Sequence, residues 1–359
     1  MLFRFDPELI PTLYKMANEG FVFENYYQPS WVVSTSDGEY NLLTGLIPDF
    51  SIQSMLHTQD NNMYYTPGNV FRRLGYRTMA FHNHDYDYYD RDLTHEHLGY
   101  EFWMGMGNGM EEYVEEIWPE SDEEMFRGTA HYLTECDGPF HVYYLTVSGH
   151  TEYNFSGNYM AVKNRDLIDG TGLSEQVWAI KAQNLELERG LAYLMQELEA
   201  AGKLDDTVFV MSCDHYPYGM PDWAYNELAG KELDTVFERY HNTLFLYCSS
   251  MEEPVVVDKY CFGPDVIPTV YNLFGIEYDS RLFSGRDILS DSDGLVIFNN
   301  YSWITSMGRY NANSGVFYPA EGAQIPDGYS DTVSRVVADR IKYAKYILNY
   351  DYYDLVFGR

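Results

Sequence analysis

Apolar residues in PELIPTLYKMANEG (7–20) recur at helical spacing, and Gly20 supplies a stop for the helix they predict. FVFENYY (21–27) predicts a short strand. VVSTSDGEYNLLTG (32–45) passes from a β-branched run into a helical pattern, and a loop containing Pro48 follows. GNVFRRLGY (68–76) predicts a helix and RTMAFH (77–82) a strand. PFHVYYLTVS (139–148) is nearly continuous in apolar residues, the mark of a parallel strand covered on both faces. One long amphipathic helix is predicted over 174–202, ended by Gly202. DTVFVMSCDH (206–215) and TLFLYCS (243–249) read as further buried strands, and GPDVIPTVYNLFG (263–275) as a helix with proline near its start.

Strands alternating with helices predict an α/β fold, a doubly wound and mostly parallel sheet flanked by helices. The pattern changes at Gly294. GLVIFNN, YSWITSM and GVFYP are short β-like pieces, and YSDTVSRVVADRIKYAKYIL (329–348) is helical. The expected organisation is a large α/β domain over 1–293 and a small subdomain over 294–359, an antiparallel sheet with a closing helix.

Charge narrows the partners. The 359 residues carry 23 Lys plus Arg against 55 Asp plus Glu, a net −32. Such a surface repels phosphate backbones, and no basic patch offsets it, so no nucleic acid is expected as a partner. Cys136, Cys213, Cys248 and Cys261 have no CxxC spacing and form neither a metal motif nor a disulfide framework. No run approaches the ~18 apolar residues of a membrane span, and no signal peptide opens the chain, which therefore reads as a soluble piece.

Ligands of open α/β sheets collect at the carboxyl ends of the strands. Thr35 follows WVVS, His150 follows VYYLTVSG, and Asp214 with His215 follows VFVMSC. His82, His84 and Arg91 follow a fourth strand. Ser36 and Glu39 have the spacing of a capping box, the ordinary reason for hydroxyls at a helix start. The same helix start can also present a nucleophilic hydroxyl to an anionic group. A carboxylate and an imidazole in tandem suit Mn²⁺ or Zn²⁺, and a cation there would lower the pKa of the Thr35 hydroxyl. Arg91 can offer a planar fork to a phosphate, and His150 can exchange protons.

The order of these motifs resembles the lipoteichoic acid synthase group, phosphoglycerol transferases of the alkaline phosphatase and sulfatase superfamily. The resemblance spans roughly residues 7–290. FENYYQPSWVVSTSDGEYNLLTG is similar to the nucleophile segment of that group, with Thr35 as the attacking residue. YYDRDLTHEHLGYEFW is similar to the segment that holds glycerophosphate. Arg91 matches there, and Tyr89 stands where Trp is usual. TVSGHTEYNF makes His150 the substrate-site histidine, with Glu152 in place of Pro. SCDHYPYG resembles the metal segment, with Cys213 in place of Gly and with Asp214 and His215 as ligands beside Thr35. The implied site has Thr35 and His150 as catalytic residues and Arg91, Tyr89, His150 and His82 toward substrate. It holds one divalent cation, manganese first and zinc or magnesium next. The implied substrate is an anionic lipid head group or glycan.

Two departures qualify the resemblance. The group opens its domain with a strand ending in a metal-ligating Glu, which no residue here matches. Glu24 and Glu39 fall on the wrong side of the first helix. The group also carries N-terminal membrane helices. Membrane association would then come from segments outside this chain, with the full-length protein on the outer face of the cell membrane or extracellular. Two other readings follow: a sulfatase, against which STSDGEY lacks the C/S-x-P-x-R context of formylglycine, and a truncated, non-catalytic anion-binding remnant.

Overall fold

A computed structural model describes residues 5–358. The elements, in chain order, are α1 (Pro11–Glu19), β1 (Phe21–Phe23), β2 (Tyr26–Tyr27), α2 (Ser34–Thr44), α3 (Pro67–Arg73) and β3 (Arg77–Asp85). Next come α4 (Arg91–Thr94), β4 (Phe102–Met106), α5 (Asp122–Thr134), β5 (Phe140–Leu145) and α6 (Tyr159–Asn164). They are followed by α7 (Glu175–Gln183), α8 (Leu185–Ala200), β6 (Val208–Ser212), α9 (Asp222–Ala229) and β7 (Leu244–Cys248). The chain continues through β8 (Val255–Val257), β9 (Cys261–Phe262) and α10 (Val266–Leu273). It ends with β10 (Val296–Ile297), β11 (Trp303–Thr305), β12 (Gly308–Asn311), β13 (Val316–Pro319), α11 (Tyr329–Asn349) and α12 (Tyr352–Phe357).

The fold is the expected helix-flanked α/β architecture, with its central strands in two ladders. One is parallel throughout, in the order β4-β3-β5. The other runs β6-β7-β1-β8, antiparallel at its first two pairings and parallel at the last. β2 and β9 form a parallel pair. Helices cover both faces: α5 and α8 pack on one side with Met79 and Phe81, while α10 and α2 pack on the other around Ala80 and Leu246. Alternate residues of β3 thus enter opposite cores, which is why its sequence shows no polar face.

Local departures have local causes. FVFENYY divides between two sheets at Glu24 and Asn25, because Glu24 N–H continues onto Val257 while Tyr26 turns to Cys261. The helix expected over 174–202 is two helices meeting at Asn184, whose side-chain amide donates to Ile180 C=O (2.7 Å) and competes with the backbone ladder. β6 is not fully covered: Val208 and Val210 remain 37% and 39% exposed, because the edge of β6 away from β7 pairs with no described strand.

The C-terminal segment forms the expected antiparallel sheet, with β12 as an additional strand. Trp303 is its fully buried anchor, packed with Ile297, Val337 and Ile341 of α11 and with Trp31 and Ile47 from the first part of the chain. Among the described residues no helix is long and apolar enough to cross a membrane.

Candidate active site

α2 begins where Val33 leaves the helical region, and no side chain caps it. The capping-box expectation for Ser36 and Glu39 is therefore overturned. Ser36 lies inside the first turn with its hydroxyl buried and unpartnered, and Glu39 faces the core. The Asp37 carboxylate instead accepts from the Val33 N–H (2.8 Å), and burial pushes its carboxyl up to about 6. An uncapped first turn presents free N–H groups and the positive helix end, beside the Thr35 side chain.

Thr35 Oγ1 lies 3.2 Å from His215 Nε2, and that nitrogen is 3.3 Å from Asp214 Oδ2. His215 Nδ1 is 2.8 Å from Tyr216 C=O, which assigns it the ring proton and turns the lone pair of Nε2 toward Thr35 and Asp214. Three lone-pair atoms thus converge without a proton between the nitrogen and the carboxylate. The two separations from His215 Nε2, 3.2 and 3.3 Å, are close to the ~3.4 Å edge between ligands bound ~2.1 Å from a tetrahedral ion. The set fits a divalent cation only with the threonine hydroxyl included, since no described cluster of three His, Cys, Asp or Glu residues could hold a metal. Glu39 cannot complete it, being committed elsewhere.

The loop carrying Asp214 is fixed from below. The Gln28 side-chain amide donates to Asp214 C=O (3.0 Å), and the Tyr26 hydroxyl pairs with Ser212 Oγ (2.8 Å). A Cβ on Gly38 would stand 2.4 Å from Asp214 C=O, so α2 approaches this loop as closely as only glycine permits.

His150 stands on a turn made rigid by buried carboxylate contacts. Asp122 accepts from Val147 N–H (2.9 Å), Ser148 N–H (3.1 Å) and the Asn83 amide (2.8 Å), while burial pushes its carboxyl up to about 6. Asn158 and Gln183 both donate to His150 C=O, at 3.0 and 3.1 Å. Ser148 is fully buried, its hydroxyl donating to Glu120 C=O. His150 Nδ1 is held by Thr151 C=O (3.0 Å), which leaves Nε2 as the nitrogen available to a ligand.

Arg91 is almost fully buried. Its Nε donates to Glu39 (3.1 Å) and one terminal nitrogen to Tyr88 C=O (2.9 Å). Tyr143 hydroxyl also donates to Glu39 (3.1 Å), and His95 Nε2 stands 3.3 Å away. Burial pushes the Glu39 carboxyl up, but Arg91 and then His95 more than offset it, holding it at about 2. Tyr89 and Asp90 both take left-handed backbone angles (φ 60° and 56°), costly for non-glycine residues, and this double reversal sets Tyr89 over the Arg91 guanidinium at 5.4 Å. His82 Nδ1 meets Leu145 C=O (2.9 Å), and burial followed by the Arg91 charge lowers its pKa.

Thr35, His82, Tyr89, Arg91, His150, Asp214 and His215 all line one cleft of about 1090 Å³. Trp118 of this wall was not read as a site residue from the sequence, and His84, read there among the polar residues after a strand, was given no role. Trp118 is 41% exposed and bridges His84 and His150, with ring centroids 5.1 and 5.2 Å away. His84 pairs with Glu120 (2.9 Å); burial lowers its pKa and the carboxylate raises it by more. The available signal was a lone Trp in EEIWPES, where no apolar periodicity calls for one.

A helix-flanked α/β core with this polar cluster at its carboxyl edge defines an alkaline phosphatase/sulfatase-like protein. The lipoteichoic acid synthase LtaP from Listeria monocytogenes has the same fold, with a TM-score of 0.80 at 21% identity over 95% of this chain and 86% of that one. An alkaline phosphatase superfamily protein from Vibrio parahaemolyticus aligns with a TM-score of 0.69 at 15% identity, over 96% and 82%. The chain belongs to the sulfatase family, whose model matches residues 2–276. It is 27% identical to lipoteichoic acid synthase of Staphylococcus saprophyticus over 84% of its length and 47% of that protein's. Lipoteichoic acid synthase 2 of Bacillus subtilis is 24% identical over 96% and 53%. The chain thus spans about half the length of the curated relatives it matches.

Proposed function

We propose that this chain is the catalytic portion of a metal-dependent phosphoglycerol transferase or phosphodiesterase acting on glycerophospholipid-type head groups. The observation that carries the reading is Thr35 Oγ1 at an uncapped helix start, 3.2 Å from His215 Nε2 and on the same cleft as His150 and Arg91. Asp214, His215 and Thr35 would hold one divalent cation, manganese in the first place, which lowers the pKa of a hydroxyl it shares. Thr35, as the alkoxide, attacks phosphorus through Oγ, and the bond from phosphorus to the lipid alcohol breaks. A glycerophosphoryl ester of Thr35 remains. His150 Nε2 delivers a proton to the departing alkoxide. In the second half, His150 takes a proton from an acceptor hydroxyl or water, whose oxygen attacks phosphorus and releases Thr35. The α2 N–H groups and the Arg91 charge stabilise the anionic oxygens in both steps. The relatives' names, and a threonine that cannot become formylglycine, support phosphoryl over sulfuryl transfer. Calorimetric titration with Mn²⁺ tests the site: binding that Asp214→Asn abolishes supports it, and no binding to a folded chain contradicts it. Faster turnover of a nitrophenyl sulfate than of the matching phosphodiester would favour a sulfatase.

A further inference from the structure

The segment from Trp118 to Asp122 ties together the two parts of the cleft wall that carry histidines. Glu120 C=O accepts from the Asn83 amide (3.3 Å) and from the Ser148 hydroxyl (2.9 Å). Asn83 precedes His84 at the end of β3, and Ser148 lies two residues before His150. Trp118 C=O accepts from Tyr159 N–H (3.3 Å) at the start of α6, and the α6 cap, Asn158, donates to His150 C=O. The end of β3, this segment and the His150 turn therefore hold one another in place.

On that support Trp118 stays 41% exposed, so its indole forgoes much of the burial a tryptophan ordinarily gains. It lines the cleft between His84 and His150, whose rings stand at 63° and 70° to its own. A flat apolar face is thus bounded on two sides by imidazoles whose centres are no more than about 10 Å apart. Each imidazole has Nδ1 engaged, His84 by Glu120 Oε1 (2.9 Å) and His150 by Thr151 C=O, and each keeps Nε2 for a ligand. The two are not equivalent. Burial lowers the pKa of His84 and the Glu120 carboxylate raises it by more, which favours a proton on Nε2 as well. The other oxygen of that carboxylate is buried and unpartnered, so among the described residues His84 is its one side-chain partner. His84 is therefore a hydrogen-bond donor to the cleft, whereas His150, set against a neutral carbonyl, offers a lone pair.

We infer that Trp118, His84 and Glu120 form the acceptor subsite of this cleft, shaped for a sugar ring that lies on the Trp118 face. His84 holds a hydroxyl at one edge of the ring, and a hydroxyl at the other edge meets His150. The inference rests on the proposed transfer reaction and names the group that accepts. A pyranose has an apolar C–H face that packs on an indole, while its equatorial hydroxyls project sideways, toward the imidazoles. An acyl chain would cover Trp118 and leave His84 Nε2 unpaired. An open-chain polyol such as glycerol would pair with an imidazole and leave the indole uncovered. At the His150 edge the sugar hydroxyl gives its proton to Nε2 as its oxygen bonds to phosphorus and Thr35 Oγ departs as the alkoxide. The sugar leaves as its glycerophosphoryl ester. Glu120 acts through His84 and is a positioning residue.

The probe is methyl β-glucopyranoside, titrated by saturation-transfer NMR into the chain carrying Thr35→Ala, so that binding is read without turnover. Ring C–H protons should saturate more strongly than the methyl group. Trp118→Ala should weaken Kd about tenfold or more, and Trp118→Phe should keep it within about threefold. His84→Ala should weaken it about fivefold or more. Glu120→Gln should move the NMR titration of the His84 ring to lower pH, a change that a merely structural role would not produce. No saturation transfer, or an affinity that Trp118→Ala leaves unchanged, overturns the subsite, as does glycerol binding as tightly as the glucoside. With Thr35 intact, Mn²⁺ and phosphatidylglycerol, the ratio of transfer to the glucoside over hydrolysis should fall about tenfold or more in Trp118→Ala. Absence of sugar binding while the Thr35 adduct forms strikes the subsite alone. Sugar binding without any adduct strikes the proposed activity alone.

Discussion

Glu39→Gln removes the charge that holds Arg91. Both side chains are about 1% exposed, and the carboxylate takes contacts from Arg91 Nε, Tyr143 hydroxyl and His95. Its pKa falls from the ordinary 4.5 to about 2 in the folded protein. At ~1.36 kcal/mol per unit, that shift represents about 3 kcal/mol of stability above pH 4.5, in line with the 3–5 kcal/mol typical of breaking a buried pair. The sign follows from the depression. The unfolded chain binds the proton first as pH falls, so the contribution is complete above about 4.5 and drains away toward about 2. Urea unfolding monitored by tryptophan fluorescence should show the variant less stable by about 3 kcal/mol at pH 7, with the gap narrowing below pH 4.5. A deficit under 1 kcal/mol at pH 7, or one that does not narrow in acid, would refute the claim that Glu39 is the buried counter-ion of Arg91 rather than a cap or a metal ligand.

Two further outcomes are expected. His141 stacks between Phe71 (5.0 Å) and Tyr100 (5.7 Å) with Nε2 buried and unpartnered, and burial lowers its pKa from 6.5 to about 4. The protein should therefore lose stability as pH falls from 6.5 toward 4, about 2 kcal/mol of it by pH 5, and His141→Phe should flatten that slope in thermal melts. His150→Ala should lower phosphodiester turnover by ~10²-fold or more with Mn²⁺ affinity nearly unchanged, since its carbonyl anchors and the cation set are separate. Loss of the metal on that substitution would make His150 a ligand.

The apolar runs at 77–82, 139–148, 206–215 and 243–249 were legible as strands because burial leaves an unbroken signal, and the polar residues at or after the ends of the first three did converge on one cleft. β4 escaped notice because Gly105 interrupts a five-residue strand. α5 was missed although Ser121 and Glu124 cap it as the pattern S-x-x-E suggests, with Ser121 Oγ accepting from Glu124 N–H at 3.1 Å. The same pattern at Ser36 and Glu39 is no cap at all, because a distant arginine claims the glutamate. Four residues do not encode that difference; the tertiary partner does. Arg91 was read as a candidate phosphate fork, but its contact with Glu39, 52 residues away in sequence, could not be read there. The unpaired edge of β6 among the described residues could not be seen in the pattern either, since β6 reads as a buried strand whether or not a neighbour is present.

The most direct test of the account is mass spectrometry of the chain incubated with phosphatidylglycerol and Mn²⁺, followed by peptide mapping. The account predicts a glycerophosphoryl adduct on Thr35, beside His215 Nε2 at 3.2 Å, and its disappearance in Thr35→Ala. An adduct on another residue, undiminished in Thr35→Ala, would contradict it.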